Sequence, residues 1–190
     1  RQKKSTMKIL LINPPSENEL HGNNPSIIEE ERGYNPPLGI LYIAGYLEKY
    51  TAFKVEVMDA QAEEISYDRL EGIIRTKVPD VVGITAMTFT LIDVIKVIHL
   101  VKSIRPNIKV VLGGPHVHIY PEETINIPGV DFLVLGEGEI TFKELVENIN
   151  DTTRLRNTPG LVFKEDGRIV NTGARPLNED LDSLPFPARH

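Results

Sequence analysis

The chain has 190 residues, 41% of them hydrophobic, and a formal net charge of −6. That length suits one domain with a small appendage, the hydrophobic content is enough to bury a two-sided sheet, and the acidic balance disfavours nucleic acid or an anionic membrane as a partner. Cysteine is absent, which excludes disulfides, thiolate zinc and a protein-ligated iron–sulfur cluster within these residues and fits a cytoplasmic setting, while no apolar run reaches transmembrane length.

Arg1 to Thr6 are basic and polar and are expected to be a tag remnant or disordered leader, with the main domain over residues 7–150. Lys8 to Asn13 reads as a continuous apolar strand. A polar loop then runs to Pro37, a length that in compact domains is commonly functional or disordered. Pro37 suits the first turn of a helix through Tyr50, with Leu38, Leu41, Tyr42, Ala44, Gly45 and Leu47 on its buried face. Phe53 to Met58 alternates like an edge strand, and Asp68 to Lys77 reads as a helix that stops before Pro79. The second half repeats the pattern: strand Val81 to Ile84, helix Leu91 to Ile104, strand Lys109 to Leu112, a short helix Pro121 to Ile127, strand Asp131 to Leu135 and helix Thr141 to Asn150. This alternation predicts an α/β fold, a flavodoxin-like doubly wound five-stranded parallel sheet of order 2-1-3-4-5, because right-handed crossovers make that arrangement the default.

Beyond Asp151 the period changes. Gly160 to Lys164 and Arg168 to Thr172 alternate around Asp166-Gly167, which predicts a β-hairpin appendage over residues 151–174. Residues 175–190, with Pro176, Pro185 and Pro187, read as an extended linker towards a further domain.

The first, third, fourth and fifth strands break into small or polar residues, and in such a fold these ends form the ligand-binding edge. They are Asn13-Pro14-Pro15, Thr85-Ala86-Met87-Thr88, Gly113-Gly114-Pro115-His116 and Gly136-Glu137-Gly138-Glu139. Prolines after the first strand have no N–H to cradle a flavin phosphate. A phosphoryl-accepting receiver needs acidic residues, an Asp and a Lys where Asn13, Thr85 and Gly136 stand. The G-x-G at 136–138 follows the fifth strand, not the first, and its carboxylates would repel a pyrophosphate. What remains is a pocket of glycines and small hydroxyl residues suited to a large, mostly neutral ligand.

Thr85-Ala86-Met87, followed one helix and one strand later by Gly113-Gly114, resembles the Ser-x-Leu and Gly-Gly elements of cobalamin-binding domains. With Asn13-Pro14-Pro15, Pro36-Pro37-Leu38-Gly39-Ile40, Gly114-Pro115-His116, Gly136-Glu137-Gly138-Glu139, Thr141 and the Leu184-Pro185-Phe186-Pro187-Ala188-Arg189-His190 exit, the whole chain resembles the N-terminal domain of cobalamin-dependent radical-SAM proteins. The subgroup it is most similar to contains the anaerobic magnesium-protoporphyrin monomethyl ester oxidative cyclase. The resemblance implies that the corrin lies over the sheet edge and the dimethylbenzimidazole tail runs down a slot beside the strands. Gly113 and Gly114 would admit the tail, and Thr85 and Thr88 would offer hydroxyls to its phosphate or ribose. Gly136, Glu137 and Gly138 would border its nucleotide end, with Pro14, Pro15 and Met87 packed under the corrin. Ala86, Pro115, His116 and Thr141 complete the implied cofactor-binding set. The D-x-H-x-x-G motif that supplies a cobalt-ligating histidine in the better-known cobalamin fold is replaced by Glu19-Leu20-His21-Gly22-Asn23-Asn24, so a base-off, histidine-off cobalt is implied. A radical-SAM barrel in the C-terminal part of the full-length protein would carry the [4Fe-4S] cluster and S-adenosylmethionine, for methyl transfer or cyclase-type chemistry. The fragment alone would catalyse nothing.

Each element also has a purely structural reading: Gly113-Gly114 as a turn, Pro14-Pro15 as a strand stop, Glu137 and Glu139 as complements to a helix dipole, and Thr85 and Thr88 as helix caps. His116 and His118 lack a third metal ligand nearby in sequence, and no metal site is assigned. Two other functions fit the same edge. One is a scaffold that has lost its cofactor. The other is an enzyme domain for a nucleotide-linked small substrate, with Glu137 or Glu139 as general base.

Overall fold

A computed structural model of the chain describes residues 6–20 and 35–189. Among them, strands β1 (Lys8–Asn13), β2 (Lys54–Asp59), β3 (Val81–Thr85), β4 (Lys109–Gly113), β5 (Phe132–Val134), β6 (Leu161–Glu165) and β7 (Arg168–Asn171) form one sheet in the order β2-β1-β3-β4-β5-β6-β7. Strands β1 to β5 are parallel, giving the 2-1-3-4-5 arrangement the alternation predicts. The hairpin extends this sheet: β6 pairs antiparallel with β5, and β7 with β6. One side of β5 is thereby covered by backbone partners, which removes an exposed edge from the parallel core.

The helices are α1 (Leu38–Tyr50), α2 (Tyr67–Lys77), α3 (Leu91–Ile104), α4 (Pro115–Ile119), α5 (Pro121–Ile125), α6 (Gly138–Glu147) and α7 (Thr152–Arg156). The short helix expected over 121–127 is present as Pro121–Ile125, and a further one, Pro115–Ile119, precedes it; the two are separate because Tyr120 leaves helical geometry and Pro121 starts afresh. Helix α6 begins three residues earlier than its apolar spacing suggests, so Gly138 and Glu139 belong to its first turn. Among the described residues no helix is long and apolar enough to cross a membrane.

Because side chains alternate along a strand, each central strand feeds two cores. Leu10, Ile12, Val82, Ile84, Val110 and Leu112 pack with Leu70 and Ile74 of α2 and Val94, Val97, Ile98 and Val101 of α3. Ile9, Leu11, Val81 and Val111 pack on the other face with Ile40, Ala44 and Leu47 of α1 and Phe142, Leu145 and Val146 of α6. Gly83 and Gly113 share the parity of this second set, so the α1/α6 face lacks two side chains near its middle and upper edge.

The last segment lies on α1. Ala188 N donates to Leu41 O at 3.0 Å, and Tyr50 Oη donates to Ser183 O at 3.1 Å. Arg175 Nε donates to Thr141 Oγ1 at 2.7 Å and its guanidinium pairs with Glu144. The approach requires Gly45, where a Cβ would stand 2.5 Å from Phe186 O. Replacing Gly45 by Val is expected to lift residues 184–189 off α1 at a cost of about 1–2 kcal/mol. Amide exchange at Ala188 would accelerate and proteolysis near Pro185 would begin earlier, while the exchange of β3 and β4 amides stays slow.

Candidate functional site

A slot of about 140 Å³ opens between the sheet and helices α1 and α6. Leu11, Gly83 and Val111 line it from the middle of three adjacent strands, with Phe142 of α6 beside them, so this part is hydrocarbon and backbone. Nearer the strand ends the walls are Thr85, Gly113 and Val134, faced by Gly39, Ile40 and Ile43 of α1 and by Gly136 to Glu139. Ile43 and Phe142 narrow the slot without closing it. A Cβ at Gly113 would meet only Val134 O, at 3.7 Å, and one at Gly39 or Gly136 would meet nothing within 4 Å. These positions are therefore open to an occupant rather than filled by protein.

The slot leads to a mouth of about 380 Å³ at the carboxyl ends of the strands, and Gly39, Ile40, Thr85 and Gly114 line both. Asn13, Pro37, Leu38, Met87, Phe89 and Pro115 add to the mouth. Leu38, Met87 and Phe89 are more than a third exposed there, which is unusual for large apolar side chains. Together the two spaces reach the roughly 300–1,000 Å³ range of small-molecule sites.

The loops around the mouth are tied to one another. Ala86 N donates to Gly113 O at 2.7 Å and Ala86 O accepts from His116 N at 3.1 Å. Thr88 Oγ1 lies 3.1 Å from His116 Nδ1. The His116 ring is buried and tilted against Tyr120, and burial pulls its pKa below the ordinary histidine value. Behind the mouth, fully buried Asp93 on α3 accepts from Asn18 N at 3.0 Å, from Asn18 Nδ2 at 2.7 Å and from the Tyr67 hydroxyl. Burial and this bond to a carboxylate raise the Tyr67 pKa. Leu20 N donates to Phe89 O at 2.9 Å, so the stretch after β1 is pinned to the loop after β3.

Of the residues singled out from sequence, Asn13, Thr85, Met87, Gly113, Gly114, Pro115, Gly136, Glu137 and Gly138 line the slot or its mouth. Pro14 and Pro15 are buried at the end of β1 and line neither space. Ala86, Thr88 and His116 build the loop ties. Thr141 donates to Pro159 O at 3.1 Å and receives Arg175, so its hydroxyl serves the hairpin and the final segment. Gly114 has φ +105°, and a Cβ there would stand 2.9 Å from Ala86 O. Its glycine is thus required by the neighbouring loop's backbone, whereas Gly113 faces the slot. His21 lies outside the described residues. Among the described residues no group of His, Cys, Asp and Glu could hold a metal ion.

Sequence reasoning missed Gly83, Ile43 and Phe142 as lining residues, and it left Gly39 and Glu139, which it had noted in the motifs, out of the cofactor-binding set. A glycine inside an otherwise Val/Ile strand, as at Gly83, was the available signal, since it marks a close approach or a missing side chain. Glu139 is only 9% exposed, and burial, followed by the charge of Glu137, raises its carboxyl pKa above the usual value.

An open α/β sheet with an apolar slot under its carboxyl edge defines a ligand-binding domain. Residues 26–146 match the model of the B12 binding domain, and the chain belongs to that family. It is 39% identical over 184 residues to an uncharacterized methyltransferase, PH0819, of Pyrococcus horikoshii, covering 96% of this chain and 38% of that protein. It is 34% identical over 170 residues to the anaerobic magnesium-protoporphyrin IX monomethyl ester cyclase of Rubrivivax gelatinosus, covering 87% of this chain and 31% of the cyclase. The chain thus spans between 31% and 38% of the length of these relatives. Among solved structures, the cobalamin-dependent S-adenosylmethionine radical enzyme OxsB, with aqua-cobalamin and S-adenosylmethionine bound, superposes with a TM-score of 0.76 at 19% identity, covering 97% of this chain and 24% of OxsB. The radical S-adenosylmethionine methyltransferase TsrM from Kitasatospora setae, with cobalamin and a [4Fe-4S] cluster bound, gives 0.71 at 19% identity over 95% of this chain and 31% of TsrM. At these identities the structural likeness establishes the shared fold.

The tie behind the mouth has a measurable worth. Replacing Asp93 by Leu leaves the Asn18 and Tyr67 donors without their acceptor, and is expected to destabilise the domain by about 2–3 kcal/mol in urea unfolding. A loss below about 0.5 kcal/mol would show that these bonds contribute little to holding the loops.

Proposed function

We propose that the chain binds cobalamin at this edge, base-off and histidine-off, as the cofactor domain of a cobalamin-dependent radical-SAM enzyme. The corrin would lie in the mouth against Met87, Leu38 and Pro115, with its lower nucleotide in the slot past Gly113. The observation that carries this reading is the slot itself. It is a gap beneath the strand ends that opens at Gly39, Gly113 and Gly136, where an added Cβ would meet nothing nearer than 3.7 Å, while Leu11, Phe142 and Ile43 fill the space over Gly83 and Gly138 and form its floor and wall. The donor set fits the group. The apolar inner walls suit an aromatic ring, and the more polar strand-end level, with Thr85, Glu137 and Glu139, suits a ribose.

Among the described residues no histidine lines the slot or its mouth, and the His116 ring is engaged with Thr88 and packed on Tyr120, which is in keeping with histidine-off coordination. Bound cobalamin would supply a cobalt centre able to carry a methyl group or an electron. The chain's own residues hold the tail away from that cobalt, keep the loops after β3 and β4 in register, and present an apolar rim. The name of a further relative, a cobalamin-dependent radical SAM methyltransferase of Streptomyces tokunonensis that is 39% identical over 120 residues, and the chain's coverage of about a third of the length of the two relatives above support a radical-SAM barrel in the full-length protein, which would hold a [4Fe-4S] cluster and S-adenosylmethionine. Methyl transfer and cyclase-type chemistry both fit such a partner.

Anaerobic titration with hydroxocobalamin tests the reading: saturable binding with a base-off visible spectrum is expected, and an unchanged spectrum would overturn it. Gly113→Ala provides the sharper comparison. Its methyl meets only Val134 O in the free protein, so stability should hold or rise by up to about 1 kcal/mol. The same methyl intrudes on the tail, and affinity should fall about tenfold or more, as expected for overpacking a filled site.

A further inference from the structure

Among the residues lining the slot, Glu139 is the one whose chemistry is not accounted for by the fold. Its side chain is nine-tenths buried. Its carboxylate forms no hydrogen bond or ion pair with another described residue, and no buried side-chain oxygen among the described residues lacks a partner, so the carboxylate reaches the open space of the slot. The neighbouring Glu137, two residues earlier at the same end of α6, carries a charge of the same sign. The walls around it are largely apolar, with Ile43, Val134 and Phe142 among them. Lone pairs that face such a slot are completed by solvent in the free protein and are available to a donor on a ligand that displaces it. Its position in the first turn of α6 suits its charge through the helix dipole. That position does not account for a side chain that lines a slot open to a ligand.

We infer that Glu139 is a specificity-determining residue of the slot, accepting a hydrogen bond from a hydroxyl of the sugar in the ligand's lower nucleotide. This rests on the cobalamin reading above. Gly83 with Leu11, Val111 and Phe142 offers the accompanying ring only apolar contact. Glu139 is the acidic side chain at the strand-end level that is buried, whereas Glu137 is exposed. The domain therefore discriminates corrinoids by their tail: a sugar-bearing nucleotide gains the Glu139 bond, and a corrinoid without a nucleotide gains nothing from it.

The test compares hydroxocobalamin with cobinamide, which has the corrin but no lower nucleotide, on the wild-type chain and on Glu139→Leu and Glu139→Gln. Wild type should bind cobalamin at least tenfold more tightly than cobinamide. Glu139→Leu should lose tenfold or more in cobalamin affinity, the scale of a bond to a charged acceptor, while its cobinamide affinity stays within twofold and its melting temperature does not fall. Glu139→Gln, which keeps an acceptor oxygen, should lie between. Equal loss for both corrinoids in Glu139→Leu would make the residue merely structural and overturn the inference. Equal wild-type affinity for the two would mean that the tail does not use the slot, which overturns the inference while leaving corrinoid binding intact. Binding of neither by wild type would instead overturn the cobalamin reading itself.

Discussion

A sheet and the helices that cover it are about 10 Å apart, and that distance exists to be filled by side chains from both layers. In this domain the filling fails at one place. Gly113 at the end of β4, Gly39 of α1 and Gly136 before α6 leave space that no neighbouring side chain takes up, whereas the room over Gly83 and Gly138 is filled by Leu11, Phe142 and Ile43. The layers cannot collapse into the gap, because Leu11 and Val111 of the sheet and Ala44, Leu47 and Phe142 of the helices still set the spacing. The slot is therefore a property of the packed core rather than of a loop, and it is as rigid as the core that surrounds it.

The second requirement is an entrance that stays in place. The loops after β3 and β4 cross-link through Ala86, Gly113 and His116, and the stretch after β1 is secured from behind by Asp93. The strand-end residues thus divide by task. Some face the opening and must be small, such as Gly113. Others, such as Ala86, Thr88 and Gly114, lie beside it and shape the backbone that small residues allow. Both tasks select the same residue types, so a motif alone does not separate them.

That overlap explains how much the sequence disclosed. The strand order followed from apolar runs alternating with helical periods, and the parallel core has that order because a buried two-sided sheet leaves few other connections. The hairpin was legible from Asp166-Gly167, but its pairing with β5 was not, since Leu161, Val162 and Phe163 of β6 are buried on both faces and carry no mark of a partner strand. At the site, Gly113 and Gly136 could be read from their place after strands. Glu139 could equally be a helix-dipole complement until its burial was known. Gly83 was hidden within a strand pattern, and Thr141, chosen for its nearness to the glycine-rich turn, faces the hairpin because the helix rotates it by more than half a turn from Glu139.

The account stands or falls on whether a corrinoid tail enters the core between β3 and α6. A crystal structure of the chain grown with hydroxocobalamin measures this directly. The account predicts the benzimidazole ring beside Gly83 and Gly113, against Phe142, with the corrin over Met87 and no tail nitrogen on cobalt. A tail still folded beneath the corrin and bound to cobalt, with the slot left as it is in the free protein, would contradict it.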